Sequence, residues 1–325
     1  MKLGRNTSWL ILIIVFFLVP ILIRSNPYYL SVFTLCMINV LTTTSLRTIA
    51  ITGQMCVGIM AFMGTGAYTS ALLMMKLSLP IWVTLPISGL MAMVLASLIA
   101  YPSVRVTGMY FGMITLFFNQ VVILVLNQWS SFTGGSTGLM NIPTVGHLAF
   151  FGLNIDFGKQ LPYAYFVLVI VFICAFFLYR IDHSHLGTTF ATIEQDESAA
   201  RNVGINVTWV KVYAFCIGCF FAGVSGCLYT HYLRVINPDV FGLFPSIYIM
   251  IYMVAGGRKT FIGPIIGAII LTLIPQIFSS LTKYQPFLYV AALYIVLYLM
   301  PGGVADLPNI IRAQLYKLRE RRAAP

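Results

Sequence analysis

Apolar runs alternate with short polar connections along almost the whole chain. Each run approaches the ~20 residues that a helix needs to cross a bilayer, and their repetition is typical of an integral membrane protein. We predict an all-α fold with about ten transmembrane helices, some of them broken or re-entrant. The predicted spans are roughly 9–23, 28–46, 52–75, 80–101, 109–126, 162–179, 212–232, 244–256, 263–281 and 287–300. We expect residues 1–325 to form one polytopic domain, with spans over about 9–300.

Charge gives this array an orientation. The chain of 325 residues is 59% hydrophobic and 8% charged, and its formal net charge is +11. Of 19 basic residues, fourteen fall on the connections and tails of one side and five on the other. This bias predicts that both termini and the polar segment (180–211) are cytoplasmic. It also explains the positive charge without a nucleic-acid partner.

The two ends of the chain are also basic. Lys2 and Arg5 precede the first apolar run as in a signal peptide, but Arg-Ser-Asn-Pro follows in place of a small-residue cleavage site. We therefore expect an uncleaved first helix. The basic tail (301–325) is expected to lie along the inner membrane surface, near anionic lipid.

The polar segment contains four of the eight acidic residues of the chain, Asp182, Glu194, Asp196 and Glu197. Thr192 and Gln195 fit a capping box, and Gly204 can end a helix. These signals predict a short soluble helix over 193–203, with Ile193, Ala200 and Val203 on an apolar side. Such a helix could be a solvated loop or a docking element for a partner.

Two stretches interrupt their apolar surroundings with glycine. The first, 51–71, contains Gly53, Gly58, Gly64 and Gly66 together with Gln54 and Tyr68; the second, 254–268, contains Gly256, Gly257 and Gly263. Such glycines either allow helices to approach closely or expose backbone that lines a cavity. Paired interruptions in two halves of a chain indicate a transport site.

Other polar and small residues lie inside the predicted spans. Asn119 and Gln120 are uncharged amides, which indicate either interhelical hydrogen bonds or contact with a polar solute. Ala214, Gly218, Ala222 and Gly226 recur at every fourth position of the span 212–232 and form a ridge of small residues. This ridge predicts tight packing against a neighbouring helix.

The remaining chemistry-bearing residues argue against catalysis. The six cysteines lie in apolar runs, so a redox role for Cys216 and Cys219 is disfavoured. The four histidines do not have metal-ligand spacing, and GGRKT (256–260) lacks the ending of a phosphate loop. No acidic residue lies in a predicted span, which disfavours proton coupling. We predict no catalytic and no metal site.

Six runs between residues 50 and 270 carry a family resemblance. They are TGQMCVGIMAFMGTGAYTSA (52–71), RVTGMYFGMITLFF (105–118), FTGGSTGL (132–139), IEQDESAARNVGINVTWVKVYAF (193–215), NPDVF (237–241) and GGRKTFIGPIIGA (256–268). They resemble the integral-membrane permease subunits of ATP-binding-cassette importers for branched-chain amino acids, in particular the type often paired with a second, related permease. The run E-x-D-E-x-A-A-R-x-x-G-I-N is the most specific.

The resemblance implies a coupling helix that fits a groove on an ATPase subunit and converts its closure into opening of the membrane cavity. Its implied residues are Ile193, Glu194, Asp196, Glu197, Ala200, Arg201 and Gly204. The expected translocation pathway is lined by Gly53, Gln54, Gly58, Gly64, Gly66, Tyr68, Asn119, Gly256, Gly257 and Gly263.

The resemblance further implies a bacterial inner-membrane importer of a small amino acid. Its partners would be ATPase subunits, a second permease and an extracytoplasmic binding protein, with ATP and magnesium bound by the ATPase subunits and no cofactor bound by this chain. Ile59 replaces a histidine frequent in the family, and Arg258 and Lys259 interrupt its second glycine run. Permeases for urea, short amides or sugars remain alternatives. A self-sufficient channel or ion-coupled carrier and a membrane-embedded hydrolase are less well supported.

Overall fold

The computed structural model describes residues 20–277 apart from positions 25, 107, 146, 151 and 152, together with residue 294. This part of the chain is almost entirely helical. The helices are α1 (Pro27–Ala50), α2 (Ile59–Leu77), α3 (Ile81–Ser103), α4 (Met109–Gln128), α5 (Ser130–Thr133), α6 (Gln160–Asp182), α7 (His185–Gln195), α8 (Glu197–Asn202), α9 (Val207–Leu233), α10 (Leu243–Gly256) and α11 (Ile262–Ile277). A short antiparallel hairpin joins β1 (His147–Phe150) to β2 (Leu153–Asp156), and 3-10 turns occupy Gly135–Thr137 and Pro238–Phe241.

Six stretches within the described residues are long and apolar enough to cross a bilayer. They are α1, α3, α4, α6, α9 and the combined 3-10 turn and helix Pro238–Gly256; α11 is a shorter apolar helix. These helices support the prediction of an all-α, multi-pass membrane protein. The count of ten spans stays a prediction, because residues 9–19 of the predicted span 9–23 and all of the predicted span 287–300 except residue 294 lie outside the described residues.

Helix α9 forms the centre of the bundle and packs against α1, α2 and α3. The small-residue ridge makes this possible. A Cβ at Gly218 would lie 2.8 Å from the carbonyl oxygen of Ser45 in α1, and a Cβ at Gly226 would lie 1.9 Å from that of Met63 in α2. The adjacent Gly223 meets α3 in the same way, since its Cβ would lie 2.6 Å from the carbonyl oxygen of Ser88. Close helix packing along this span is therefore confirmed.

The predicted span 52–75 is interrupted. Residues 51–58 are not helical, and α2 begins only at Ile59. Gly53 has a φ of 79°, a left-handed conformation that glycine adopts without steric cost. The break keeps backbone groups of 51–58 available for contacts outside a helix; for example, the Val57 amide donates to the hydroxyl of Thr115 in α4 at 3.1 Å.

Helices α3 and α4 lie at the edge of this bundle. Their outward faces expose large apolar side chains such as Leu98, Met109 and Phe117. In contrast, α1 and α9 are mostly buried. Exposed apolar faces of this size belong against lipid or another membrane subunit rather than water.

Candidate functional site: the polar segment and the interrupted helices

The polar segment forms two short helices instead of one. The single helix predicted over 193–203, capped at Thr192, is wrong. Helix α7 starts at His185 and ends at Gln195, Asp196 is extended, and α8 starts at Glu197. The Asp196 carboxylate caps α8 by accepting from the amides of Ser198 at 2.8 Å and Ala199 at 3.0 Å. Thr192 instead donates its hydroxyl to the carbonyl of Thr188, inside α7.

The predicted end of the helix at Gly204 is confirmed. Gly204 has a φ of 86°, and its amide donates to the Arg201 carbonyl at 2.9 Å. The Ile205 amide reaches back to the Ala200 carbonyl at 3.1 Å. These two bonds form a Schellman motif, which requires a left-handed residue after the helix. The motif turns the chain sharply into α9.

Apolar contacts hold both short helices against the bundle. Ile193 and Ala200 are buried with Val207, the first residue of α9. Phe190, a residue that the sequence reasoning did not select, is fully buried with Ile51 and Ala214. Val203 is 82% exposed, so its predicted place on the apolar side is wrong.

Charge fixes α8 to the base of α9. Glu197 accepts from Arg201 at 2.7 Å and from Lys211 at 2.8 Å. The Lys211 side chain is only 4% exposed, whereas that of Glu197 is 28% exposed. Burial raises the pKa of Glu197, but the hydrogen bonds and positive charges of Lys211 and Arg201 outweigh it, so the pKa is lowered overall. The carboxylate is therefore ionised and compensates a buried ammonium.

The polar segment touches both glycine interruptions. A Cβ at Gly53 would lie 3.8 Å from the Glu194 Cα, which places the first interruption against α7. The Glu194 carboxylate pairs with Arg258 at 3.2 Å, which places the second interruption against the same residue. Glu194 thus joins two regions that are about 200 positions apart in sequence.

Most of the predicted pathway glycines pack against backbone. At four of them, an added Cβ would come within 2.0–2.2 Å of a backbone carbonyl oxygen. The glycine and the residue whose carbonyl it meets are Gly58 and Thr115 (2.0 Å), Gly66 and Gly223 (2.2 Å), Gly256 and Gly263 (2.1 Å), and Gly263 and Gly257 (2.1 Å). Gly64 lies against the ring of Phe241. Gly257 has a φ of 98° and terminates α10. These positions follow the close-packing interpretation of the glycines.

The three polar side chains predicted for the pathway behave differently. Gln54, Tyr68 and Asn119 are all buried. Among the described residues, their buried polar atoms without a hydrogen-bond partner are both amide atoms of Gln54, the Tyr68 hydroxyl and the Asn119 Oδ1. The Asn119 Nδ2 donates to the Phe241 carbonyl at 3.3 Å, and the Tyr68 ring lies 6.4 Å from that of Phe241. Unpartnered buried polar atoms are costly, so they mark places where a polar ligand would be stabilised.

Known proteins resemble this chain over most of its length. The family described as branched-chain amino acid transport system, permease component, matches residues 28–301. The high-affinity branched-chain amino acid transport system permease protein LivM of Escherichia coli K12 is 28% identical over 83% of this chain and 68% of its own length. The Salmonella typhimurium LivM is 27% identical, and 64% of its length is matched.

More distant relatives add a second permease type and a different solute. The LivH permease of Escherichia coli K12 is 30% identical over 40% of this chain and 42% of its own length. The ribose import permease RbsC of Haemophilus influenzae is 23% identical over 83% of this chain and 85% of its own length. No solved structure matches the chain. The family match over residues 28–301 shows that this chain belongs to the permease components of branched-chain amino acid transport systems.

Proposed function

We propose that this chain is a membrane-spanning subunit of an ATP-binding-cassette importer that moves a branched-chain amino acid into the cytoplasm. Separate ATPase subunits would bind ATP and magnesium and supply the energy, and an extracytoplasmic binding protein would deliver the solute. A second, related permease would complete the membrane part. The chain would lie in the bacterial inner membrane with about ten spans and both termini in the cytoplasm.

One observation carries the energy-coupling part of this proposal. Glu194 of the polar segment lies against Gly53 and pairs with Arg258, so one short element contacts both interrupted helices. Arg201 of α8 and Val203, the residue that follows this helix, are exposed to the surroundings, while Ala200 and Glu197 hold α8 to α9. A partner that pushes on the exposed side would therefore move the base of α9 and both interruptions together.

Solute passage would use the unpartnered polar atoms. Gln54, Tyr68 and Asn119 lack charge, and the family to which the chain belongs transports solutes with an apolar side chain and a polar backbone. Uncharged amide and hydroxyl groups can hydrogen-bond both the amino and the carboxyl group of such a solute. The glycines would let the helices that carry them slide past one another, because backbone contacts at Gly58 and Gly66 have no interlocking side chains.

The proposal is tested by purifying the chain with its partners from the native membrane and reconstituting the complex in liposomes. We expect an ATPase subunit to co-purify and labelled leucine to accumulate when ATP and the binding protein are supplied. The chain purified alone should not concentrate leucine. Uphill uptake by the chain alone, driven by an ion gradient, would contradict the proposal.

A second candidate solute class is favoured by the similarity to the ribose import permease, which covers 85% of that protein. The same uncharged path suits urea, short amides or sugars. Competition of labelled leucine uptake by unlabelled ribose, urea and acetamide distinguishes these cases. If valine and isoleucine inhibit leucine uptake and ribose, urea and acetamide do not, the solutes are branched-chain amino acids.

Replacing Asn119 by Leu should lower uptake and leave the free energy of unfolding nearly unchanged. The change removes the unpartnered Oδ1, whose burial costs about 1–3 kcal/mol, but it also removes the bond from Nδ2 to the Phe241 carbonyl, a loss of similar size. Uptake of leucine in liposomes and thermal unfolding in detergent measure the two effects.

The matched control is Asn39→Leu. The Asn39 Nδ2 donates to the Thr272 hydroxyl at 3.1 Å. This replacement also removes a made hydrogen bond, but Asn39 has no unpartnered buried oxygen to offset the loss, so the protein should be destabilised. If Asn119→Leu lowers stability as Asn39→Leu does and leaves uptake intact, the amide at position 119 is a packing element and not part of the pathway.

A further inference from the structure

Arg47, near the end of α1, lies at a junction of three chain segments. Its side chain is 4% exposed. Its Nη1 and Nη2 donate to the two carboxylate oxygens of Asp182 at 3.0 and 3.3 Å. Its Nε donates to the Arg258 carbonyl at 3.0 Å and its Nη2 to the Lys259 carbonyl at 3.5 Å. The guanidinium also lies 5.6 Å from the centre of the Phe261 ring.

The first of these contacts fixes the start of the polar segment. Asp182 is the last residue of α6, and its side chain is 17% exposed. The turn from α6 into α7 is tight, since a Cβ at Gly187 would lie 2.0 Å from the Asp182 carbonyl oxygen. Holding Asp182 therefore holds the first turn of α7.

The second contact fixes the turn between α10 and α11, here the 257–261 turn. The carbonyls of Arg258 and Lys259 accept from Arg47, while the Arg258 side chain pairs with Glu194 in the last turn of α7. The turn is thus attached to the polar segment directly through Glu194 and indirectly through Arg47 and Asp182. Two attachments at opposite ends of α7 fix the relative orientation of α7 and the turn, whereas one would leave a pivot.

The chemistry of the site requires arginine. A planar guanidinium can make paired bonds to a carboxylate and still direct its Nε to a carbonyl on the other edge. A lysine ammonium carries the same charge but cannot span Asp182 and both carbonyls, because its three donors radiate from one atom. Charge alone therefore does not account for the arrangement.

We propose that Arg47 is a positioning residue for energy coupling: it keeps the 257–261 turn in register with the polar segment, so that both move as one unit. This rests on the proposed function, in which the polar segment receives the movement of an ATPase subunit. Arg47 itself touches no solute in this role. It acts through Asp182 and the two carbonyls that it holds.

The test compares Arg47→Lys with Arg105→Lys in the complete transporter complex purified from membranes. Arg105 is exposed and contacts Tyr101 of its own helix turn, so its replacement makes the same chemical change outside the network. Spin labels at Val203→Cys and Lys259→Cys, both exposed positions, report the distance between α8 and the 257–261 turn. The six native cysteines are buried, and the complex without introduced cysteines measures how much label they take up.

We expect a single narrow distance distribution in the parent and in Arg105→Lys, and a broader or shifted one in Arg47→Lys. Leucine taken up per ATP hydrolysed should fall by about fivefold in Arg47→Lys alone, within the range that residues along a coupled path produce. Asp182→Asn, which keeps the shape but weakens the paired bonds, should give an intermediate result.

An unchanged distance distribution in Arg47→Lys would overturn the proposal, and so would a broadened one with unchanged uptake per ATP. Failure of the parent complex to couple leucine uptake to ATP would instead contradict the proposed function. In that case the distance measurement still decides whether Arg47 positions the turn. If the Arg47→Lys variant does not fold, the Asp182→Asn variant takes its place. An unchanged distance distribution in Asp182→Asn, or a broadened one with unchanged uptake per ATP, would then overturn the proposal.

Discussion

Replacing Glu197 by Lys should abolish ATP-driven uptake and leave the chain inserted in the membrane. The change removes the carboxylate that pairs with Lys211 and puts a third cation beside Lys211 and Arg201. Breaking a fully buried ion pair costs about 3–5 kcal/mol, and the cost here is smaller because Glu197 is 28% exposed. The strain therefore displaces α8 from the base of α9 without unfolding the bundle, whose core lies along α9 itself.

Two measurements check this result. Membrane fractionation and size-exclusion chromatography report insertion and assembly, and leucine uptake at saturating ATP reports coupling. The double variant Glu197→Lys with Lys211→Glu restores a pair of opposite charges between α8 and α9 and should recover part of the uptake. Normal uptake by Glu197→Lys alone would reject α8 as a lever.

The positions of the spans could be predicted because hydropathy is a local property. Helices α1, α3, α4 and α6 begin and end within a few residues of the predicted bounds. The ridge of Ala214, Gly218, Ala222 and Gly226 is local too, since its period of four places it on one face of any α-helix. Such features require no knowledge of what the helix touches.

The structure of the polar segment was only partly predictable. A capping box at Thr192 and an aspartate cap at Asp196 compete for the same stretch, and the sequence contains both signals. The aspartate prevails because its carboxylate reaches two free amides, whereas Thr192 already has an acceptor one turn back in α7. The start of α7 at His185 was not predicted either. Its one fully buried side chain that fixes it to the bundle, Phe190, packs against Ile51, which is distant in sequence.

Pairings between distant residues could not be predicted at all from one sequence. Arg47 and Asp182 are 135 positions apart. Each is one of several charges expected on the same side of the membrane, and nothing local selects a partner. The glycines of 51–71 pose the same difficulty, because whether Gly58 packs or lines a path depends on Thr115, a residue on another helix. Only the folded structure shows that these glycines pack against backbone, whereas the buried amides of Gln54 and Asn119 keep polar atoms without a partner.

Among the glycines of α9, Gly226 should be the one whose replacement by Val destabilises the bundle most. A Cβ there would lie 1.9 Å from the Met63 carbonyl oxygen and 2.9 Å from the Ala67 amide nitrogen. Both are backbone atoms of α2 and cannot turn aside as a flexible side chain would. The helices must separate, at a cost at or above the ~3 kcal/mol upper end of ordinary overpacking.

The control for this change is Ser97→Val, which adds the same β-branched side chain on the exposed face of α3. Thermal unfolding in detergent should show a large loss for Gly226→Val and little change for Ser97→Val. Equal unfolding temperatures of the Gly226→Val and Ser97→Val variants would mean that the backbones of α2 and α9 are not in contact at Gly226.

The contact at Gly226 also bears on coupling, because α9 carries Lys211 at its base and Gly226 deep in the bundle. A displacement of the base reaches α2 only if the two backbones remain in contact, so a Gly226→Ala variant that folds should still lose uptake per ATP hydrolysed.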